Sequence, residues 1–338
     1  MLSEYTKYYY YALSDEKKKI YKQLYDGIKN RVERIHVHTD NTRISPEEIS
    51  EIAVAVYNDT PSFYYLDVTR YSYAKTLFGY IYSQKYLYSK SEIEKFDNAL
   101  EKGLSIFKSK YIKDTMSEYE RELAIHDYLV KTVSYDYSAL ENKGNDNKEA
   151  FNVLGALLYK KAVCWGISCA FKLLCDYCEL KSFVVVGDTI PKQDDAGHAW
   201  NVVKIENKPY HVDVTWDIKE KGDISFCYDY FNLDDSLIKM DHTWSSQLYP
   251  PCDAIDFNYY YKNQLFVKDV WDISKYVSQQ LRKGKKYIAF KYANKMPHTN
   301  EIEKSIKLGV AKALRFGSYK YYVSEKTHNI YIEMAGSR

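Results

Sequence analysis

The sequence predicts an α+β protein, because helical and strand-like patterns occupy separate stretches of the chain. Near the N-terminus, apolar residues recur every three or four positions from Tyr21 to Ile35, which is the spacing of an amphipathic helix. In the middle of the chain, two strand-like runs at residues 197–203 and 210–216 are separated by a short turn, as in an antiparallel hairpin. A strand, a helix and a second hairpin follow towards the C-terminus.

These patterns divide the chain into three regions. We expect residues 1–112 to form a mainly helical N-terminal region, residues 113–252 the core, and residues 253–338 a small β-α-β-β unit. Four serines that precede helical runs are predicted N-caps, and Glu120 completes a capping box with the last of them: Ser14, Ser45, Ser89 and Ser117. Outside the core, the predicted strands are 63–68, 76–86, 286–291, 319–323 and 330–334, and the predicted C-terminal helix is 301–314.

The composition argues against several classes of protein. With 48 basic and 46 acidic residues, the net charge of +2 gives no indication of nucleic-acid binding. No apolar run approaches the ~18 residues that a membrane span requires. Residues 1–20 contain charged side chains and no apolar signal-peptide segment, so we expect a cytoplasmic protein as written, or an extracellular one if a targeting segment is missing. Nothing in the sequence indicates an oligomeric state.

A cysteine, a histidine and an aspartate occur in a context that predicts nucleophilic catalysis. Cys164 begins a predicted helix, and His198 and Asp213 lie on the two strands of the predicted hairpin. A helix N-terminus and a neighbouring imidazolium both stabilise a thiolate, which is the nucleophilic form of cysteine. We expect His198 to accept the thiol proton and later return it to a leaving amine, while Asp213 holds the second ring nitrogen. Backbone N–H groups at the start of the helix would hold the developing oxyanion.

The spacing leaves one alternative open. Strand alternation places His211, Asp213 and Thr215 on a single face of the second strand. His211 is therefore also within reach of the aspartate, and spacing alone does not decide whether His198 or His211 is the base.

Three segments around these residues resemble the signatures of the transglutaminase-like superfamily, and in particular its bacterial branch. They are residues 164–168 (Cys-Trp-Gly-Ile-Ser), 197–203 (Gly-His-Ala-Trp-Asn-Val-Val) and 210–217 (Tyr-His-Val-Asp-Val-Thr-Trp-Asp). The resemblance, which extends over residues 117–252, implies a papain-like core with a Cys-His-Asp triad, and it implies that His198 rather than His211 is the base. Ile167 and Ser168 replace the more usual Tyr-Ala, a departure that affects the pocket wall and therefore the choice of substrate.

Four further residues are predicted to form the substrate or oxyanion pocket. The resemblance places Tyr135 near the cleft, where its hydroxyl either helps to hold the substrate carbonyl or makes a structural hydrogen bond. Gly166 allows backbone or substrate to come close to the nucleophile. Trp165 follows the nucleophile at the pocket wall, and Trp200 is expected to pack around the triad and shield it from water.

The sequence therefore predicts a cysteine-dependent acyl-transfer enzyme, which forms a Cys164 thioester with peptide or protein amides and needs no cofactor. Hydrolysis is favoured over cross-linking to a lysine amine. The alternative is a binding or scaffold protein that retains the fold without turnover. A zinc protein is a third possibility, since Cys175 and Cys178 have C-x-x-C spacing. Because no second such pair is present, we expect buried free thiols and no metal.

Overall fold

The computed structural model describes residues 7–39, 44–141, 147–191, 197–218, 228–314 and 317–335. The architecture is α+β, as predicted. Within this part of the chain, no helix combines the length and the apolar character needed to cross a bilayer. The division of the chain at residues 112 and 252 stays a prediction.

The N-terminal region combines helices with a three-stranded antiparallel sheet of order β1-β3-β2. Its predicted N-caps are confirmed: Ser14 accepts a hydrogen bond from the Lys17 N–H, and Ser45 and Ser89 form capping boxes. The elements are α1 (Tyr8–Ala12), α2 (Asp15–Lys29), β1 (Arg34–His38), α3 (Pro46–Asp59), β2 (Leu66–Thr76), β3 (Gly79–Tyr86) and α4 (Lys90–Tyr111).

The helix predicted from Tyr21 to Ile35 is too long. Helix α2 ends at Lys29, and Arg31 then adopts a positive φ of 58°, which a helix cannot contain. The following residues form β1, in which buried and exposed side chains alternate. The sequence does not reveal this strand because Val32 and Ile35 continue the helical spacing of the preceding apolar residues.

The core places one helix against a four-stranded antiparallel sheet of order β8-β7-β6-β9. Ile167 and Phe171 of α7 face this sheet, whereas Cys169 on the same helix packs among the apolar residues of the N-terminal region. Helix α7 therefore lies between the two regions. The elements are α5 (Glu118–Thr132), β4 (Ser134–Tyr135), α6 (Tyr137–Glu141), β5 (Lys161–Ala162), α7 (Cys164–Tyr177), β6 (Lys181–Thr189), β7 (His198–Ile205), β8 (Lys208–Val212), α8 (Val214–Asp217), α9 (Asp235–Ile238) and β9 (His242–Thr243).

Local signals in the core were predicted with mixed success. The capping box of Ser117 is confirmed at the start of α5. The β7–β8 hairpin is also confirmed, with its turn at Glu206 and Asn207, which both have positive φ as a tight two-residue turn requires. The sequence from residue 149 to 159 also predicts an α-helix, and this prediction is wrong: a 3₁₀ turn at Lys148–Phe151 and a π-helical turn at Gly155–Tyr159 occupy this stretch.

The C-terminal region is a four-stranded sheet of order β10-β11-β13-β12 with two packed helices. The predicted strand, helix and hairpin are present within two residues of their expected bounds. The strand β10 and the helix α11 were missed, so the unit is larger than the β-α-β-β pattern. The elements are α10 (Tyr259–Lys262), β10 (Phe266–Val267), α11 (Val270–Arg282), β11 (Tyr287–Tyr292), α12 (Thr299–Ala313), β12 (Tyr319–Ser324) and β13 (Asn329–Met334).

Candidate active site

Cys164 is the first residue of α7, so the unpaired N–H groups of the first helical turn surround it. Gly166 allows this helix end to pack tightly, because a Cβ at that position would lie 2.4 Å from the carbonyl oxygen of Ala150 and 2.9 Å from that of Asn152. Among the cysteines that the structure describes, Cys164 is the one that is partly exposed, and the others are buried: Cys169, Cys175, Cys178 and Cys252.

His198 is the first residue of β7 and connects Cys164 to Asp213. Its Nε2 atom lies 2.6 Å from Oδ2 of Asp213, which leaves Nδ1 for an interaction with Cys164, and both residues line the same cleft. Burial lowers the pKa of His198, but the charge and hydrogen bond of Asp213 and the nearby thiol of Cys164 outweigh burial and raise the pKa well above 6.5. The protonated imidazole is therefore favoured beside the thiol.

Asp213 is held in place by the start of a short helix rather than by a strand. The expectation that it shares a strand face with His211 is wrong, because β8 ends at Val212 and Asp213 is the N-cap of α8. Its Oδ1 atom accepts the backbone N–H of Thr215 at 2.9 Å and that of Trp216 at 3.3 Å. Burial raises its pKa, but the charge of His198 and the hydrogen bonds from neighbouring groups lower it well below the usual range. The carboxylate is ionised and fixed.

His211 lies in a different environment from His198. Its Nδ1 atom accepts the indole N–H of Trp200 at 3.0 Å, and its Nε2 atom lies 3.0 Å from Oδ1 of Asp235. Both ring nitrogens are thus engaged away from Cys164. Burial lowers the pKa of His211 below 6.5 despite the carboxylate, so its neutral form is favoured. The geometry pairs Cys164 with His198.

A further histidine, His242, lies at the site and is not among the residues predicted from the sequence. Its Nε2 atom is 3.1 Å from Oδ2 of Asp213, the same oxygen that His198 contacts, and its Nδ1 atom is 2.7 Å from Oδ1 of Asp241. Pairing of β9 with the end of β6 brings it there, with His242 opposite Thr189. The Asp241-His242 dipeptide was the one sequence signal, and it matches no signature of the triad.

A cleft of about 1270 Å³ opens in front of Cys164 and His198. The core contributes one wall of this cleft, and the N-terminal region contributes another through α3 and β2. The aromatic ring of Tyr57 on α3 stacks on Trp165 with 5.9 Å between ring centroids and an 8° interplanar angle. At the N-terminal wall, Arg70 forms an ion pair with the buried carboxylate of Asp67. No motif in the sequence indicates that the N-terminal region reaches the site.

The four predicted pocket residues separate into two groups. Tyr135 and Trp165 line the cleft, where Tyr137 and Trp216 accompany them. Gly166 lies below its surface, against the backbone of the preceding turn. Trp200 is 1% exposed and lies behind His198, with 5.8 Å between the two ring centroids. The pocket roles of all four stay predictions.

Two clusters within the described residues bring three potential metal ligands within 4.8 Å of one another: His198, Asp213 and His242, and His211, Asp235 and Cys252. In the first cluster both histidines hydrogen-bond to a single carboxylate oxygen, and in the second both ring nitrogens of His211 are engaged by protein groups. At the predicted C-x-x-C pair, burial raises the pKa of Cys178 to about 11 and holds that of Cys175 well above its ordinary value, which favours thiols over metal-binding thiolates. Cys227 lies outside the described residues.

The family comparison agrees with the resemblance over the segment that contains the triad residues. The family profile described as the transglutaminase-like superfamily matches residues 107–214, a segment that contains Cys164, His198 and Asp213. One similar solved structure is a candidate cysteine protease from Cytophaga hutchinsonii, with 19% identity over 34% of this chain and 37% of that chain and a TM-score of 0.27. Another is a TGase, with 18% identity over 59% of this chain and 56% of that chain and a TM-score of 0.32.

The chain thus spans less than two thirds of the length of either of these proteins. A sequence comparison with curated proteins finds no match. The match at residues 107–214 shows that this segment is similar to the transglutaminase-like superfamily.

Proposed function

We propose that this protein is a cysteine-dependent acyl-transfer enzyme, which cleaves peptide or protein amide bonds through a thioester on Cys164. The observation that supports this proposal most is the partly exposed thiol at the N-terminus of α7, which lines the same cleft as a histidine whose Nε2 atom is 2.6 Å from a buried carboxylate. This is the arrangement that a thiol nucleophile requires.

The reaction starts from the ion pair in which the thiol proton of Cys164 has passed to Nδ1 of His198. The thiolate of Cys164 then attacks the amide carbon, a C–S bond forms, and the carbonyl oxygen takes up negative charge. The N–H groups of the first turn of α7 are positioned to stabilise that charge. His198 returns its proton to the leaving nitrogen, the C–N bond breaks, and a thioester remains. Asp213 holds Nε2 throughout and keeps the ring in the productive orientation.

Hydrolysis is the proposed fate of the thioester. Water reaches a cleft of about 1270 Å³ without a second binding site, whereas transfer to a lysine amine requires a second bound substrate. His198 removes a proton from water, the oxygen attacks the thioester carbon, and the C–S bond breaks to regenerate the thiol and release a carboxylate. The size of the cleft suits an extended peptide segment.

The test is the rate at which iodoacetamide alkylates each cysteine between about pH 4 and pH 9, mapped by peptide mass. We expect Cys164 to react rapidly well below pH 8.5, the ordinary pKa of a free thiol. Cys169, one turn along the same helix, is the internal control, because burial raises its pKa to about 12. Loss of amide cleavage in Cys164→Ala, but not in Cys169→Ala, would support the nucleophile assignment.

Slow labelling of Cys164 with the pH profile of an ordinary thiol would contradict the proposal and favour a scaffold protein without turnover. If Cys164 is activated, glutamine-containing peptides incubated with and without a primary amine separate the possible products by mass. Cleaved or deamidated peptide indicates hydrolysis, and an amine adduct indicates cross-linking.

A further inference from the structure

Behind the triad, His242 lies between two carboxylates. Each of its ring nitrogens is within hydrogen-bond distance of a carboxylate oxygen, at 3.1 Å to Asp213 and 2.7 Å to Asp241. An ionised carboxylate only accepts hydrogen bonds, so both ring nitrogens must carry a proton for both contacts to be made. The geometry therefore favours the imidazolium form, and the raised pKa of His242 agrees: burial lowers it, but the hydrogen bonds to Asp213 and Asp241 more than offset burial.

Asp241 is itself firmly held. Its Oδ2 atom accepts the hydroxyl hydrogen of Tyr230 at 2.5 Å and lies 3.8 Å from Nζ of Lys326, in the turn between β12 and β13. Its backbone carbonyl accepts the N–H of Ile190 at 2.7 Å, at the end of β6. His242 and Asp241 are both almost fully buried, with 1% exposure each. The pair is a fixed part of the wall behind Asp213.

This arrangement has two consequences for the triad. Oδ2 of Asp213 is shared between His198 and His242, so the carboxylate cannot rotate without losing a contact at each ring. In addition, the ring centroids of the two histidines are 5.2 Å apart, and a positive charge on His242 disfavours a second positive charge on His198. The negative charge of Asp213 alone would make His198 hold its proton strongly. The positive charge of His242 weakens that hold. A general acid must release its proton during the reaction, so this balance favours turnover.

We propose that His242 is a positioning residue, which as an imidazolium held between Asp213 and Asp241 fixes the carboxylate of the triad and eases release of the proton from His198. The proposal rests on the proposed function, in which His198 is the acid and base. The titratable and charged groups that face His242 are Asp213, His198, His211, Tyr230 and Asp241, and Lys326 lies on the other carboxylate oxygen of Asp241.

The test measures alkylation of Cys164 by iodoacetamide across roughly pH 4 to 10 in the wild type, His242→Gln and Asp241→Asn. The upper inflection of this profile marks the loss of the proton from His198. Glutamine cannot carry the positive charge, so in His242→Gln we expect this inflection to move up by about one pH unit. Asp241→Asn removes the anion that stabilises the imidazolium without touching Asp213, so we expect a smaller shift in the same direction. It also provides the measurement if His242→Gln fails to fold.

His126→Gln is the matched control, because His126 is equally buried and its Nε2 atom lies 2.9 Å from a different carboxylate, Asp217. We expect its profile to match the wild type, with thermal unfolding as a check on the fold of each variant. Profiles of His242→Gln and Asp241→Asn that superimpose on the wild type would overturn the proposal. The proposal would also be overturned if the alkylation rate of Cys164 fell equally at every pH, by the same factor as in His126→Gln, and the inflection did not shift.

A second measurement is independent of the variants. The ¹⁵N shifts of the His242 ring in the wild-type protein should report two protonated nitrogens at neutral pH, and a neutral ring would overturn the proposal. Failure of the proposed function is distinguishable from both results, because in that case the wild-type Cys164 would itself react as an ordinary thiol.

Discussion

The two strands of the β7–β8 hairpin each carry a histidine that contacts an aspartate, in two different settings. His198 and His211 are both buried, with 7% and 1% exposure, and each contacts an aspartate, at 2.6 Å for His198 and 3.0 Å for His211. The pKa of His198 is raised and that of His211 is lowered. Neither burial nor a carboxylate partner therefore distinguishes a candidate base from a structural histidine.

The distinguishing feature is the second ring nitrogen. In His198 it faces the thiol of Cys164, a group that gains negative charge when it transfers its proton. In His211 it accepts a hydrogen bond from the indole of Trp200, which can only donate. A fixed donor at Nδ1 holds His211 in the neutral tautomer with its proton on Nε2. The comparison teaches that the partner of the second nitrogen assigns the role of each histidine.

The largest expected effect comes from removing each histidine in turn. His198→Ala removes the base, so we expect amide turnover to fall by a factor on the order of 10⁶, as in other triad enzymes. His211→Ala leaves a buried indole N–H without a partner, which costs about 1–3 kcal/mol of unfolding free energy, while the folded fraction should stay active. Turnover and thermal unfolding measured on both variants test this. If folded His211→Ala is as inactive as His198→Ala, the assignment of the base is wrong.

The next effect concerns the two aspartates. Asp213→Asn keeps the shape of the side chain but replaces an acceptor with a donor at Nε2 of His198, so we expect the wrong tautomer and a loss of turnover of about 10⁴-fold. Asp235→Asn makes the same change beside His211 and should affect mainly stability, because Asp235 also accepts the backbone N–H of Cys252 at 3.1 Å. Turnover with matched thermal unfolding curves separates these outcomes. Equal losses of turnover in the two variants would remove the distinction between the two histidine–aspartate pairs.

The parts of this site that the sequence predicted are those with local signals. The position of Cys164 is predicted by a helix start, the β7–β8 hairpin by alternation and a short turn, and His198 by its segment's resemblance to a family signature. The capping boxes were predictable for the same reason, since each depends on residues three positions apart. Interactions between residues that are close together in the chain can therefore be predicted from the sequence.

The missed parts depend on contacts between distant residues. His242 reaches Asp213, 29 residues away, through the pairing of β9 with β6. The N-terminal wall of the cleft depends on packing of α3 against the start of α7, seen in the contact between Tyr57 and Trp165. Asp213 was placed on a strand because its neighbours alternate, but its side chain caps a helix instead. No local pattern specifies such contacts, so they could not be predicted from the sequence.

The smallest expected effect concerns the tryptophan that contacts both histidines. Trp200→Phe keeps an aromatic ring behind His198 but removes the hydrogen bond to His211 and leaves a cavity, so we expect a loss of about 2–4 kcal/mol of unfolding free energy. The alkylation rate of Cys164 at pH 6 should stay within roughly tenfold of the wild type, because the orientation of His198 depends on Asp213.

Trp216→Phe is the matched comparison, since this ring lines the cleft at 5.7 Å from His198. It should lose less stability than Trp200→Phe and show the larger change in labelling rate. If instead Trp200→Phe slows labelling more than Trp216→Phe does, then His211 and its partners act on the triad through the indole. The two histidine–aspartate pairs would then have to be treated as one coupled unit.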